Sequence, residues 1–386
     1  MDRNGTIWKK ILGLKGLASV GFSDIIGGGM GAFFWFYIAS SIQADEYGEI
    51  SYFLGIAALV QTIACVGTAN VVTVYVAKKV KIEATLYFIS LVISFISSII
   101  LFFLLHRIDV SLLVFAFVIN DLSIAAILGK RCYSSYSKFL LLQKSLLLGI
   151  GIISYNLVGV DGIIFALVIS YMPFVVIMIK GFQSSKVNLR DIIPRKEFIF
   201  NNYAIMLASN FRRDIDKLLI PFFLGFTILG NYALAIQVFY ILTMFSNILY
   251  KYILPEDANK NSTQKLKKIS IIITCGIGIS GFFILPEIIP VFFPEYTEAI
   301  TAIRIMSLSV IPSNLVLIFW SKLFAEEKSR IVLISAIIQM LVMVFGVIIL
   351  GSIYGIIGLA FTHLFAASSQ AIFLVINKKI TILNDK

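Results

Sequence analysis

Residues 86–105 read LYFISLVISFISSIILFFLL, twenty consecutive positions without a charge. As an α-helix this run is about 30 Å long, the thickness of a bilayer's hydrocarbon core. A transmembrane strand would alternate apolar and polar residues with a period of two over about ten residues. The run is continuous and twice that length, so it predicts a membrane-crossing helix. Working outward, comparable windows fall near 17–40, 51–77, 84–105, 110–129, 138–157, 162–179, 200–221, 228–250, 269–286, 299–321, 331–350 and 355–376. They make twelve predicted spans. Composition agrees: 59% of the 386 residues are hydrophobic and 14% charged, against about 25% charged in soluble domains. Ordinary cytosolic enzymes, disordered chains and secreted disulfide scaffolds are excluded. The first apolar window is too long for a cleaved signal peptide and many more follow it. Cys65, Cys132 and Cys275 lie far apart without metal-ligand or pairing spacing and read as small apolar residues.

A net charge of +11 would suggest nucleic acid in a soluble chain. Its distribution gives a different meaning. The amino-terminal arm, the loops after even-numbered spans and the tail hold 26 basic residues; the opposite loops hold one, Arg107. The remaining five, Lys144, Arg212, Arg213, Lys217 and Arg304, fall within spans. The positive-inside rule puts both termini in the cytoplasm of a multi-pass protein of the cytoplasmic membrane. Acidic residues dominate the outer side, and no basic domain or zinc finger points to nucleic acid.

The longest basic loop divides the chain into an amino-terminal six-helix lobe (1–180), a cytoplasmic linker (181–198) and a carboxy-terminal six-helix lobe (199–386). Six crossings return the chain to its starting side, so the halves are expected to be parallel repeats. Gly162-Ile163-Ile164 and Gly355-Ile356-Ile357 echo one another at an offset of 193, with Gly159 and Gly358 close by. The fold class expected is an all-α polytopic membrane protein with about twelve transmembrane helices in two parallel six-helix lobes. No loop is long enough for a soluble catalytic domain, and neither GxxxxGK[ST] nor HExxH occurs. The chain therefore reads as no enzyme, with no cofactor and no metal site. Gly27-Gly28-Gly29 and Gly31, inside span 1, read as a place for close helix packing or a bend.

Ionisable residues within spans are candidates for function because hydrocarbon makes them costly. Span 7 carries Arg212, Arg213, Asp216 and Lys217, with one further aspartate, for a local charge of +1. Arg213, Asp216 and Lys217 share a helix face, and Arg212 and Asp216 stand i,i+4. Internal neutralisation with snorkelling is one reading; a cavity-facing site for an anionic substrate is the other. Lys144 either joins that site or snorkels, and Arg304 reads as an anchor. Asp24, Asp121, Asp216 and His363 are candidates for a cavity or for ion coupling, His363 having packing as its alternative role. No selectivity-filter run or ring of carboxylates suggests a channel.

Several stretches resemble a known family. They are Asp45-Glu46-Tyr47-Gly48, Gly67 with Ala69-Asn70, Asp216-Lys217-Leu218-Leu219-Ile220, Phe223-Leu224-Gly225, Gly230-Asn231-Tyr232-Ala233, Leu254-Pro255, Phe293-Pro294-Glu295-Tyr296 with Ala299, and Tyr354–Ala360. Their order is similar to that in the polysaccharide and lipid-linked oligosaccharide flippases of the multidrug/oligosaccharidyl-lipid/polysaccharide exporter superfamily. The resemblance implies alternating access and a cationic cavity for a sugar chain on an isoprenoid phosphate or diphosphate. It also implies that Arg212, Arg213 and Lys217 meet the phosphate, whose oxygens suit guanidinium forks. The expected partners are the lipid-linked oligosaccharide, the bilayer, Na+ or H+ as candidate coupling ion, and glycosyltransferases or polymerases of the same pathway. The alternative expectation is a cation-coupled exporter of small amphiphilic compounds.

Overall fold

The computed structural model describes the backbone of residues 3–66, 69–258, 262–326 and 328–384. The side chains of 3–19, 205, 208, 209, 212, 255, 258, 329 and 378–384 lie outside the described set. Among the described residues there is no strand. The helices are α1 (Arg3–Ser41), α2 (Ala44–Ala64), α3 (Ala69–Ala77), α4 (Glu83–Leu105), α5 (Ile108–Gly129), α6 (Tyr133–Val158), α7 (Asp161–Ser170) and α8 (Pro173–Ser184). After a 3-10 turn at Leu189–Arg195 come α9 (Lys196–Leu224), α10 (Phe226–Ala258), α11 (Gln264–Phe292), α12 (Thr297–Leu308), α13 (Val310–Ala325), α14 (Ser329–Gly346) and α15 (Ser352–Asn384).

Ten stretches among the described residues are long and apolar enough to cross a membrane. They correspond to the predicted spans with two differences. The last stretch, Arg330–Asn377, has 48 residues. As one straight helix it would run about 72 Å, more than twice the hydrocarbon core. It folds back instead: Gly355 leaves helical geometry at φ 57° and ψ −137°, a Cβ on Gly346 would strike Thr362, and Gln370 donates to Ser335 Oγ at 3.2 Å. The second difference is α9, which falls outside the ten because Arg212, Arg213, Asp214, Asp216 and Lys217 interrupt its apolar character.

Other boundaries correct the sequence expectation. Asp45-Glu46-Tyr47-Gly48, expected in a loop, forms the first turn of α2. Acidic side chains suit a helix amino terminus, and Glu46 accepts from the Gln43 backbone N–H at 3.2 Å. Predicted span 2 (51–77) therefore begins earlier, and is interrupted between α2 and α3. Span 6 divides at Pro173, the first residue of α8, where a missing N–H costs no helical bond. Span 10 divides at Ser309 between α12 and α13.

The internal echo acquires a different register. Gly159 (φ 80°) and Gly355 (φ 57°) both take the left-handed region that favours glycine. Three residues later, Gly162 and Gly358 each face a backbone carbonyl eight residues upstream, Ser154 and Leu350 respectively, where a Cβ would not fit. The structural correspondence is thus Gly-x-x-Gly at an offset of 196 rather than Gly-Ile-Ile at 193. Gly355→Ala is expected to lower stability by about 1–3 kcal/mol. Gly29→Ala, whose Cβ would meet nothing within 4 Å, is expected to be neutral or mildly stabilising; thermal unfolding of the purified protein compares them.

The chain forms two compact units: Met1–Trp35 with Ile56–Asn210, and Phe36–Gly55 with Phe211–Lys386. In the first unit α5 is central. The buried face of α4 carries Ser90, Ser94 and Ser98, and Ser98 Oγ donates to the Ser111 carbonyl of α5 at 3.0 Å. The opposite face exposes Phe95, Ile99 and Phe103, as a lipid-facing helix requires. Helices α1 and α6 run in the same direction, with Asp24 beside Tyr136, Gly27 and Gly31 beside Lys144, and Phe34 beside Gly151. Parallel direction is what two odd-numbered spans require. At the other end of α6, Arg107 bridges Asp109 at 2.8 Å and Asp161 at 3.2 Å.

In the second unit α10 is central, and its start is packed backbone to backbone. A Cβ on Gly48 would overlap the Phe226 carbonyl, and one on Gly230 would overlap the Ala44 carbonyl. Asn231 Oδ1 accepts from the Ala299 N–H at 3.0 Å, and Tyr296 OH donates to the Ile42 carbonyl at 3.3 Å. The scattered stretches around Tyr47-Gly48, Gly230-Asn231-Tyr232 and Tyr296 thus converge in one place. Arg304 lies over the Phe282 ring at 5.8 Å.

Beyond the membrane-length part of α10, Asp257 accepts from Lys267 Nζ at 2.6 Å, Thr263 Oγ1 at 2.5 Å and Ser321 Oγ at 2.5 Å. Burial pushes this carboxyl up, but the three hydrogen bonds and the Lys267 charge outweigh it and hold the group below the ordinary carboxylate range. A depressed folded-state value adds stability above the unfolded acid's titration, near pH 4, that is lost as pH falls through the lower folded value. Asp257→Asn should cost about 1–3 kcal/mol at neutral pH, with the gap closing as pH drops below about 4. Denaturation across pH reads both limbs.

Candidate functional site

The charged part of α9 is organised by an aspartate that the sequence reading passed over. Asp214 is buried and receives Lys217 Nζ at 2.7 Å and Arg213 Nε at 3.0 Å. Asp214 and Lys217 stand i,i+3, so the helix itself brings them together. The Arg213 side chain is 54% exposed, so part of its fork faces away from protein. The Lys217 stem lies against Gly55 of α2, where a Cβ would meet the Lys217 Cβ at 2.8 Å. Glycine at that position is what lets the lysine lie flat.

Asp216 is buried separately. Its Oδ2 accepts from Tyr232 OH at 3.0 Å and its Oδ1 from the Lys217 backbone N–H at 2.8 Å. Arg213 bridges Asp214, although it also shares a face with Asp216. The Arg212 side chain, and with it the expected Arg212–Asp216 pair, lies outside the described residues. Arg213 and Lys217 balance Asp214 and Asp216 formally, so the local excess of +1 is the charge of Arg212.

The first unit carries the other candidates in two arrangements. Tyr136 OH donates to Asp24 Oδ1 at 2.6 Å between α6 and α1. Further along the same seam, the Lys144 stem runs over Gly27 and its Nζ reaches Gly31, 3.4 Å and 3.7 Å from where Cβ atoms would stand. The glycine run of span 1 thus makes a groove for a lysine. Among the described residues Lys144 has no ion-pair partner. Asp121, on α5, accepts from Gln61 Nε2 at 2.8 Å and from Asn120 Nδ2 at 3.2 Å. His363 belongs to the second unit, packs edge-on to Phe239 with centroids 4.5 Å apart, and has a buried Nδ1 without a partner.

Asp214, Tyr136, Tyr232 and Gln61 were missed as members of these arrangements. The spacing of Asp214 and Lys217 was available as a signal. The two tyrosines carried none, because tyrosine near a span end ordinarily reads as an interfacial anchor. Among the described residues no group of three or more His, Cys, Asp or Glu is arranged to hold a metal.

By sequence, no known protein family and no curated protein matches the chain. By structure, several transporters do. The lipid II flippase MurJ in an inward closed conformation superposes with a TM-score of 0.76 at 14% identity, over 93% of this chain and 87% of that one. An inward-facing multidrug resistance MATE family transporter of the MOP superfamily gives 0.71 at 15% identity, over 93% and 95%. A MOP superfamily transporter from Pyrococcus furiosus, described by the reverse polarity of its binding pocket, gives 0.66 at 15% identity, over 95% of both chains. At this level of identity the likeness establishes the fold alone, an all-α, multi-pass architecture shared with these transporters.

Proposed function

We propose that this protein translocates a lipid-linked oligosaccharide, on an isoprenoid phosphate or diphosphate carrier, from the cytoplasmic to the outer leaflet of the cytoplasmic membrane. It acts as a transporter in cell-surface polysaccharide or glycoprotein assembly and breaks no bond. The observation that carries this reading is the basic set on α9: Arg213 and Lys217 held by the buried Asp214, with Arg212 next in sequence. A charge moved alone into hydrocarbon costs several kcal/mol. A guanidinium fixed in advance by Asp214 offsets that cost for a phosphate, because it is already oriented. Lys144, lying in its glycine groove with no ion-pair partner among the described residues, is a further candidate cation for a phosphate. The proposed organisation is six plus six spans, lobes 1–180 and 199–386 joined by 181–198, with both termini cytoplasmic as the basic-loop asymmetry indicates. Glycosyltransferases or polymerases of the same pathway are the proposed protein partners.

A second reading, a cation-coupled exporter of small amphiphiles, is favoured by the in-span carboxylates Asp24 and Asp121, both in polar surroundings. Its coupling ion would be Na+ or H+. One reconstitution separates the two. Liposomes holding the protein are given either a defined isoprenoid diphosphate sugar, followed by head-group accessibility, or a cationic dye under a Na+ or H+ gradient. The flippase reading expects head-group transfer and no gradient-driven dye efflux; the reverse pattern supports the exporter and removes the phosphate role.

A further inference from the structure

Inside the second unit, α10, α11 and α13 meet around a small cavity of about 10 Å³, lined in part by Ser246, Leu249, Tyr250, Ser270, Asn314 and Leu317. Ser246, Ser270 and Asn314 are each at most 2% exposed. Ser270 Oγ donates to Asn314 Oδ1 at 2.9 Å. That leaves Asn314 Nδ2 without a partner, and Ser246 Oγ has none either.

The orphaned serine hydroxyl departs from the rule followed around it. In a helix within hydrocarbon, a serine or threonine ordinarily bonds a carbonyl three or four residues back. Thr243 bonds Phe239, Ser307 bonds Ile303 and Ser335 bonds Val332 in that way. Ser246, less than one turn beyond Thr243, does not. Both Ser246 and Asn314 line the cavity. An unpaired buried donor and hydroxyl are costly in a bilayer interior, so their presence in one cavity points to a ligand shared between them.

Size and charge identify its class. The cavity has about the room that one water molecule needs, and a bound water requires two to four polar partners. Ser246 Oγ, Asn314 Nδ2 and Ser270 Oγ supply three. No carboxylate lines the cavity, and Asp257, the acid toward the cytoplasmic end of α10, is already tied to Lys267, Thr263 and Ser321. A bare cation here would be buried without a counter-charge. We infer that this cavity is a binding site for one structural water, which accepts from Asn314 Nδ2, exchanges a hydrogen bond with Ser246 Oγ and joins α10 to α11 and α13. The site is independent of the transported substrate.

Radiolytic footprinting of the full-length protein in nanodiscs, run in 18O-labelled water and read by mass spectrometry, tests the inference. The bound water should label Leu249, Tyr250 and Leu317, with slow exchange against bulk solvent. Asn314→Leu, which fills the cavity and removes the orphan donor, should abolish that labelling and leave labelling of the loops unchanged. Ser246→Ala, which removes one oxygen and keeps a good helix former, should weaken it, and serves if the first variant does not fold. Absence of labelling in the wild-type protein would overturn the inference, as would labelling unchanged in Ser246→Ala. Labelling that appears only with Na+ and not with choline would also overturn it, by assigning a cation.

Discussion

Replacing Gly230 by valine is expected to destabilise the protein by about 1–3 kcal/mol or more and to reduce transport at least tenfold. The added Cβ would overlap the Ala44 carbonyl oxygen, and the reciprocal Gly48 position already touches the Phe226 carbonyl. Both obstacles are backbone atoms, so no rotamer change relieves the clash; the first turn of α2 has to leave α10. That separation also strains the Asn231–Ala299 and Tyr296–Ile42 hydrogen bonds beside it. Gly276→Ala provides the contrast. It lies within α11 and its Cβ would meet nothing within 4 Å, so the gain in helix propensity, about 0.5–1 kcal/mol, goes uncontested. Thermal unfolding of the two variants side by side should show opposite shifts.

Lys217→Met is expected to destabilise by about 1.5–3 kcal/mol, because it removes one of the two described cations that hold the buried Asp214. Adding Asp214→Asn should recover most of that loss, since it removes the carboxylate that Lys217 offset and restores the formal balance of Arg213 with Asp216. A purely structural ion pair would then leave transport intact in the double variant. The functional assignment predicts the opposite: recovered folding with head-group transfer still reduced at least tenfold, the effect of losing about 1.4 kcal/mol or more of phosphate interaction. Equilibrium unfolding and a transport assay on the same preparations separate the two effects.

Much of the architecture was legible because a bilayer imposes few solutions. A run such as 86–105 has the length of the hydrocarbon core. The corners at Gly159 and Gly355 were visible as glycines, although their register was not, because Gly-Ile-Ile matches arise readily in so apolar a chain. The start of α2 was misread because Asp45 and Glu46 look like a loop; their charges favour a helix amino terminus just as well. Nothing apolar marks the divisions after Ala64 and at Ser309, so periodicity ran through them.

The site was legible in its chemistry and less so in its pairing. Five charges within span 7 stood out, yet neither the bridge from Arg213 to Asp214 nor the hydrogen bond from Tyr232 to Asp216 was foreseen. The arrangement depends on which carboxylate turns toward Tyr232 of α10, a tertiary property with no local signature. Lys144 shows the same limit: its groove is made by Gly27 and Gly31 on a helix more than a hundred residues away.

The most direct measurement is the rate at which the head group of a defined isoprenoid diphosphate oligosaccharide crosses the bilayer of reconstituted liposomes. It should be taken with wild-type protein, with an Arg212→Ala, Arg213→Ala, Lys217→Ala variant shown to be folded, and with empty liposomes. Transfer by the wild-type protein should run well above that of the empty bilayer and fall to the empty-bilayer rate in the variant. Equal transfer by the wild-type protein and the folded variant would remove the phosphate role of α9.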